Sequence, residues 1–434
     1  MKKNVFTWLL IGILTLLLTS CSVLPFLENL GEESTPVPPT AVPGSPTPGP
    51  TASPEPTRPV RTELILWVPP AFGPEMEGGP GEILLQTLDE FNQERSDIAY
   101  QVRVKALEGP GGMLESLRAA KSAAPRLLPD LVVLPREMME AAAAEGLIHS
   151  PQGLAEIMLE EDWFPYAEEL SRVNGQTYGV PFAGDVLVLA YKSDLTEEPL
   201  ADWDAVLETG KALAFPAADP RGVVTLAFYQ SEGGEIAALN ENLVLDRVRL
   251  FNFFNDYQRA QEAGVMPYWL TQFEESQGAW AAYQERQTTL AVTWLSHVLG
   301  EGSENTAVAP FPTRDGVPYT YGTGWVFAFA NLNPEREETA LALSQQLASA
   351  AFQAELTSRT GYIPLRRSAL AAWEDGVEVS FLETALSTAA VKPSPEVLDA
   401  LGPLVRDAAV AVLKDQADPE AEVDLLLQRL KQLP

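Results

Sequence analysis

The polar and apolar positions between residues 62 and 134 alternate between two periods. Short apolar runs typical of strands are separated by stretches in which apolar residues recur every three to four positions, as on one face of a helix. In order, this pattern predicts a strand at 63–68, a helix at 83–91, a strand at 99–107, a helix at 113–122 and a strand at 131–134. Such alternation indicates an open α/β lobe with a parallel sheet, in which ligands bind at the carboxyl ends of the strands.

A long apolar segment follows at residues 174–194. Asn174-Gly175 is a tight-turn dipeptide, and residues 186–191 are apolar enough for a strand that is buried on both faces. Asp185 interrupts this apolar context. Because a carboxylate buried without a partner is costly, we expect Asp185 to be paired, to face a solvated cleft or to bind a ligand.

The second half of the chain continues to alternate. Residues 289–295 are predicted to form a strand that ends at Trp294, Leu295 and Ser296. Further apolar stripes at helical spacing predict helices at 203–211, 243–263, 279–286, 333–356, 398–413 and 423–430.

Length and charge limit the function classes. A chain of 434 residues exceeds what one core usually serves, so we expect about two domains. A formal net charge of −31 repels phosphate backbones and anionic lipid surfaces, which argues against a nucleic-acid partner. The only cysteine is Cys21, so an internal disulfide and a thiol-based metal site are excluded. The sequence implies neither a metal nor a cofactor.

The amino terminus has the pattern of a targeting signal. Lys2 and Lys3 precede a mostly apolar run at 5–18, which is too short to span a membrane comfortably, and we predict a signal peptide at 1–20. The following Leu18-Thr19-Ser20-Cys21 resembles a bacterial lipobox, which implies that Cys21 is lipid-modified. An ordinary secretory signal with an incidental cysteine is the alternative.

Proline dominates the segment behind Cys21. Ten of the twenty-eight residues from 34 to 61 are proline, a density that favours extended polyproline II over a packed core. We therefore predict that residues 21–61 are a lipid-anchored linker that holds a folded body away from the membrane. A ligand for a proline-binding domain is the alternative.

Several short motifs carry a family resemblance. Tyr178-Gly179-Val180-Pro181 and Tyr191-Lys192-Ser193-Asp194, with the segments 307–313, 319–329 and 361–366, resemble the family 1 extracellular solute-binding proteins of ABC importers, which include the maltodextrin-binding proteins. This resemblance implies an α/β, periplasmic-binding-protein-like type II fold of two lobes joined by a multi-strand hinge. Lobe I would comprise 62–184 plus 313–362, and lobe II 185–312 plus 363–434.

The same resemblance assigns ligand-binding positions. They are Trp67, Glu137, Asp185, Trp294, Ser296, Tyr321, Gly324, Trp325 and Arg366.

Four of these positions have a structural alternative. Trp67 could instead be core, Glu137 could pair with Arg136 on the surface, and Arg366 could support the hinge. For Trp325, packing in the hinge is the less favoured alternative.

The implied function is capture of a small solute, with a sugar or oligosaccharide favoured by the available aromatic and acidic residues. The partners would be the permease subunits of an ABC transporter and, through Cys21, the outer face of the bacterial cytoplasmic membrane; we expect a monomer. The two histidines, His149 and His297, are far apart in sequence, and hydrolase, phosphate-loop and zinc-protease motifs are absent, so we predict that it is not an enzyme. An extracellular glycan-acting hydrolase and a sensory or structural lipoprotein remain the alternatives.

Overall fold

The computed structural model describes residues 62–74, 78–196, 200, 202–239, 242–302, 304–373 and 377–433. These residues belong to one unit of the chain, Pro59–Pro434. The predicted signal peptide, Cys21 and the proline-rich linker lie outside the described residues.

Strands occur along most of the described chain. They are β1 (Thr62–Val68), β2 (Ile98–Val104), β3 (Leu131–Pro135), β4 (Arg172–Val173), β5 (Gln176–Thr177), β6 (Gly179–Lys192), β7 (Leu213–Ala214), β8 (Ile236–Leu239), β9 (Asn242–Leu245), β10 (Leu290–Trp294), β11 (Thr306–Ala309), β12 (Thr320–Phe329) and β13 (Ala389–Val391).

Nine of these strands form one mixed sheet. Its order is β2-β1-β3-β12-β6-β10-β7, with β11 paired to β6 and β13 paired to β12. β1 is parallel to β2 and β3, as the sequence predicts, whereas β12 is antiparallel to β3 and β6. β10 is antiparallel to β6 and parallel to β7. The predicted α/β class is confirmed.

Helices cover the sheet. They are α1 (Pro80–Glu94), α2 (Met113–Ala123), α3 (Arg136–Ala144), α4 (Leu154–Ile157), α5 (Pro165–Leu170), α6 (Trp203–Glu208), α7 (Val223–Ser231), α8 (Arg247–Glu262), α9 (Ser276–Gln284), α10 (Leu295–Glu301), α11 (Pro334–Gln346), α12 (Ala350–Thr357), α13 (Arg367–Ala371), α14 (Val379–Thr388), α15 (Pro395–Lys414) and α16 (Pro419–Leu430). None of the helices in the described ranges is long and apolar enough to cross a membrane.

Capping residues make two predicted helices differ from the structure: one is divided in two, and the other begins later. The single helix predicted at 333–356 is α11 followed by α12, because the Ser349 side chain accepts from the backbone N–H of Phe352 and starts a new helix. The helix predicted at 243–263 begins at Arg247, where the Asp246 side chain accepts from the Arg249 backbone N–H at 2.8 Å.

β6 is the strand that both halves of the large sheet share. Residues 179–186 pair with β12, and residues 187–192 pair with β10 and β11. All fourteen residues are buried, which suits an almost continuously apolar strand covered on both faces. A Cβ added at Gly184 would lie 2.0 Å from the Tyr166 hydroxyl oxygen, so the packing leaves no room for a larger residue there.

Two large hydrophobic cores and a smaller cluster around Ala190 and Trp280 lie along this shared strand. Val186 and Val188 pack into a first core with β1, β3 and α1, whereas Leu187 and Leu189 pack into a second core with α7, α8, α15 and α16. The alternation follows from the two-residue period of a strand.

The last part of the chain divides between these cores. Leu370, Leu382 and Leu386 belong to the first core, and the second core takes over at Leu398. The predicted lobe II instead begins its final segment at residue 363. That segment stays with the first core because Ile363 exchanges backbone hydrogen bonds of 2.8 and 2.9 Å with Gly184.

Candidate functional site

Asp185 lies where β6 passes from one core to the other. Its side chain is buried, and its backbone is opposite Thr323 of β12. One carboxylate oxygen accepts from the backbone N–H groups of Val186 at 2.9 Å and Ser296 at 3.1 Å, and the other accepts from the Ser296 hydroxyl at 2.6 Å. Because Ser296 is in the first turn of α10, Asp185 caps that helix from a neighbouring strand.

The titration of Asp185 is governed by its burial. Desolvation raises the pKa of this carboxyl to about 7, although the hydrogen bonds from Ser296 and Val186 act in the opposite direction. Of the three roles that the sequence allows, pairing within the protein is the one seen here. Asp185 and Ser296, both predicted ligand residues, are in direct contact.

Glu137 lies in the first turn of α3, immediately after β3 ends. Its carboxylate accepts from the Lys392 ammonium group and, at 3.0 Å, from the Arg221 guanidinium. Arg221 also donates to Asp399 at 2.9 Å. We call Lys392, Glu137, Arg221 and Asp399 the ion chain. Since α3 packs on the first core and Asp399 lies on α15 of the second core, the ion chain joins the two cores.

The charges of the ion chain compensate one another. Burial alone raises the pKa of Glu137, but Lys392 and Arg221 outweigh it, so the pKa lies below its usual range and the carboxyl is ionised at neutral pH. The expected pairing of Arg136 with Glu137 does not form. Arg136 turns away to Glu140 at 2.7 Å.

The loop that carries Arg221 lies close to the backbone of α15. Asp219 accepts from the backbone N–H groups of Arg221 and Val223, each at 2.9 Å, and Gly222 has a φ of 57°. A Cβ added at Gly402 of α15 would lie 2.4 Å from Arg221 Cα. Glycine at 402 therefore lets the loop lie against the helix and fixes the position of Arg221.

Trp294 is the predicted aromatic residue that lies beside the ion chain. It is half-buried at the end of β10, and the Lys392 nitrogen lies 5.9 Å from the centre of its ring. Glu137 and Trp294 therefore share Lys392 as a neighbour. They form the part of the predicted site that presents both a charged group and an aromatic face.

The other three predicted aromatic residues lie inside the cores. Trp67 is 3% exposed, Tyr321 1% and Trp325 8%. Trp325 packs edge-to-face with Phe72 and Tyr362, with ring centres 5.0 and 6.0 Å away. In this conformation their rings are covered by protein, as the alternative interpretations of Trp67 and Trp325 expected.

Gly324 and Arg366 also contact the protein itself. A Cβ added at Gly324 would lie 2.4 Å from the Ala183 carbonyl oxygen, so the close approach that glycine permits is between β12 and β6. Arg366 is buried, donates to the Ala348 carbonyl at 2.7 Å and to Glu160 at 2.6 Å, and covers the Trp163 ring at 3.8 Å. It holds the segment behind α12 in place.

Sequence reasoning missed Lys392, Arg221 and Asp399. The dipeptide Asp219-Pro220, in the loop that carries Arg221, is typical of a turn, but nothing in its pattern indicates that the loop meets α3. No group of three or more His, Cys, Asp or Glu side chains in the described part of the chain could hold a metal ion.

Comparison with known proteins shows both a family and a fold. The profile of the bacterial extracellular solute-binding protein family matches residues 86–380, more than half of the chain.

Several solved structures share the architecture. A maltose-bound MalE3 from T. maritima is 19% identical, with a TM-score of 0.62 over 86% of this chain and 100% of that one. A cyclo/maltodextrin-binding protein complexed with maltotetraose is 17% identical, with a TM-score of 0.69 over 87% of this chain and 98% of that one. A cyclic α-maltosyl-1,6-maltose binding protein from Arthrobacter globiformis is 15% identical, with a TM-score of 0.69 over 86% and 98%. At these identities the likeness is one of fold.

Proposed function

The chain belongs to the bacterial extracellular solute-binding proteins, and from this premise we propose that it captures a sugar or oligosaccharide between two closing lobes and delivers it to the permease of an ABC transporter. The family implies an extracytoplasmic location. The choice of a carbohydrate is supported by the similar structures, which hold maltose and maltotetraose.

The two lobes of this proposal follow the two cores. The first lobe contains β1, β3, α1 to α5 and α11 to α14, and the second contains α6, α7, α8, α15 and α16. The hinge comprises β6, β12 and the segment from β13 to α15. Compared with the boundaries expected from the sequence, the last crossing moves from residue 363 to the vicinity of residue 392.

The observation that carries the proposal is the ion chain between the cores. Sugar hydroxyl groups donate to carboxylates such as Glu137 and Asp399 and accept from cations such as Arg221 and Lys392. The Trp294 ring adds an apolar face on which the C–H groups of a sugar can pack. Donor, acceptor and aromatic groups are thus gathered where the two lobes meet.

Closure follows from the geometry of this site. A solute that contacts Glu137 on one side and Arg221 or Asp399 on the other makes both sets of contacts only when the lobes are together. It stabilises the closed state by its differential affinity for that state. Without a solute, the ion chain alone gives the closed state part of this stabilisation.

The pKa shifts and contacts of two carboxyl groups support binding without hydrolysis. A glycosidase needs an acid with a raised pKa that reaches the glycosidic oxygen. Glu137, which borders the cleft, has a lowered pKa, whereas Asp185, with a raised pKa, is engaged by Ser296. In this proposal neither acts as a catalyst, and the protein works as a monomer anchored through lipidated Cys21.

A thermal-shift series tests the function. Maltose, maltotetraose, a polyol, an amino acid and a dipeptide are added in turn, and a solute present at 100 times its Kd stabilises the protein by about 2.7 kcal/mol. A shift with the oligosaccharides and no reducing-end product after prolonged incubation is expected. Steady release of product would establish the hydrolase alternative. A shift only with a non-sugar would refute the carbohydrate assignment, and no shift with any of the five would point to a lipoprotein that has lost solute capture.

A further inference from the structure

A cavity of about 790 Å³ lies beside the ion chain, and we call it the side cavity. Its walls are α3, α5, the turn between β4 and β5, and the segment 389–396 that leads to the second core. Lys392 is its one residue in common with the ion chain, and none of the nine predicted ligand positions lines it. It is therefore a separate space from the proposed sugar cleft, large enough for a small molecule.

Much of the wall is apolar. Ala141 and Ala144 of α3 face the cavity on one side, and Val391 and Pro393 of the crossing segment face it on another, with the ring of Tyr166 between them. These side chains offer hydrocarbon surface to a bound molecule and do not select its polar groups. The selective groups are the charged side chains among them.

Glu140, in the wall of the side cavity, has a carboxylate oxygen that lacks a hydrogen-bond donor among the described residues. One of its carboxylate oxygens accepts from Arg136 at 2.7–2.8 Å, while the other is buried and has no hydrogen-bond partner in the described structure. The Glu140 side chain as a whole is only 13% exposed. A buried acceptor without a donor costs roughly 1–3 kcal/mol, and more when it is charged.

Arg136 donates to only one oxygen of Glu140. Its guanidinium already donates to the backbone carbonyls of Leu170 at 2.8 Å, Glu169 at 3.2 Å and Arg172, in addition to Glu140. Burial raises the pKa of the Glu140 carboxyl above its usual range, against the opposing effect of Arg136. A further positive charge near this carboxylate would relieve the penalty.

Among the described residues, the cations at the cavity have ion-pair partners, whereas two of its carboxylates do not. Lys392 is held by Glu137, and Arg172 lies 3.6 Å from Glu168. The carboxylates of Glu169 and Glu396 also line the cavity and form no ion pair with any described residue. The groups without counter-charges are therefore acidic.

We propose that the side cavity binds a small organic amine in its protonated form, whose ammonium group pairs with the carboxylates of its wall, Glu140 among them, and whose hydrocarbon body lies on the alanine, proline and tyrosine surface. The ligand class is an aliphatic amine with a chain of a few carbons. Such a molecule also contacts the segment 389–396, which passes between the cores.

Calorimetric titration of the full-length protein with 1,5-diaminopentane tests the proposal. We expect saturable binding of one equivalent, and no measurable binding of 1,5-pentanediol, which has the same length without charge. Glu140→Gln keeps the shape of the side chain and its contact with Arg136 but weakens amine binding at least tenfold.

Two further variants make the result decisive. Glu145→Gln removes one negative charge just beyond the end of α3 but outside the cavity, where Glu145 pairs with Arg118 at 2.6 Å, and it should bind the amine like the unmodified protein. Ala141→Met fills the cavity without removing a charge and should abolish binding, which covers the case in which Glu140→Gln does not fold. Equal loss in Glu140→Gln and Glu145→Gln would mean nonspecific attraction to an acidic protein. That result would overturn the proposal. It would also be overturned if the diol bound as well as the diamine, if Ala141→Met left binding unchanged, or if the diamine did not bind.

Discussion

Arg221 donates a hydrogen bond of 3.0 Å to Glu137, and this contact joins a loop of the second core to the first helix after β3. The two residues are 84 positions apart in the sequence. Their exposed fractions, 41% and 33%, allow salt and solutes to compete with the contact.

Removing this contact should shift the protein toward an open state. Glu137→Gln deletes the charge that attracts both Lys392 and Arg221, so we expect a larger radius of gyration in solution scattering without solute. Glu145→Gln serves as the control. It removes an equal charge from an exposed ion pair that does not join the two cores. An unchanged radius for Glu137→Gln would mean that the ion chain does not hold the cores together.

Burial of Asp185 should make the free energy of unfolding decrease as the pH rises. Its folded pKa of about 7 is above the ordinary value of 3.8, so the folded state binds more protons between these values and the stabilisation is lost as the pH rises from about 4 to about 7. The full effect is on the order of 4 kcal/mol. Urea denaturation of the protein and of Asp185→Asn across this range measures it.

The variant separates Asp185 from the other titrating groups. The difference in unfolding free energy between Asp185→Asn and the unmodified protein should grow with pH and level off above about 7. Parallel pH profiles for the two proteins would contradict the assignment.

Trp294 should affect solute binding more than stability. Its half-buried ring lies beside Lys392, so Trp294→Ala is expected to weaken oligosaccharide binding tenfold or more while leaving the protein folded. Trp269→Ala removes another partly buried tryptophan, which packs on Phe273 and not beside Lys392, and it should leave affinity unchanged. Titration calorimetry with maltotetraose distinguishes the two variants, and equal affinities would remove Trp294 from the site.

Trp325 should behave in the opposite way. Because its ring is enclosed by the first core, Trp325→Ala is expected to lower the unfolding free energy by about 3–5 kcal/mol, as large-to-small core substitutions do. Denaturant unfolding measures this. A variant of undiminished stability that no longer binds solute would restore Trp325 to the role implied by the family resemblance.

Gly184 and Tyr166 should be energetically coupled. Gly184→Ala places a methyl group 2.0 Å from the Tyr166 hydroxyl oxygen and 2.5 Å from Leu365, so a loss of stability is expected. Tyr166→Phe removes the hydroxyl, which is buried and has no hydrogen-bond partner in the described structure, and should recover part of that loss. Additive effects in a double-mutant cycle would show that the contact is not the cause.

Local patterns and long-range packing explain what the sequence could reveal. The strands and helices of 62–134 and the buried β6 follow from hydrophobic periodicity, which neighbouring residues determine. The family resemblance assigns a ligand role to Ser296 at the end of a strand, and the apolar surroundings of Asp185 mark that residue as one that needs a partner. Each depends on only a short stretch of sequence.

The ion chain could not be found in this way. Lys392 and Arg221 reach Glu137 from distant parts of the sequence. Arg221 also reaches Asp399, from a loop that lies against Gly402. Trp325 shows the same limit of local sequence: a tryptophan before a buried strand has the same local pattern whether it lines a cleft or fills a core. Which of these occurs is decided by Phe72 and Tyr362, far away in the sequence.

The sharing of β6 between the cores limits how the chain can be divided. The first core takes residues from both sides of the second, so a single cut anywhere from residue 187 to 386 would remove part of the first core. Neither lobe could be expressed as a contiguous fragment with its own complete interior. Heating should accordingly melt both halves in one cooperative transition.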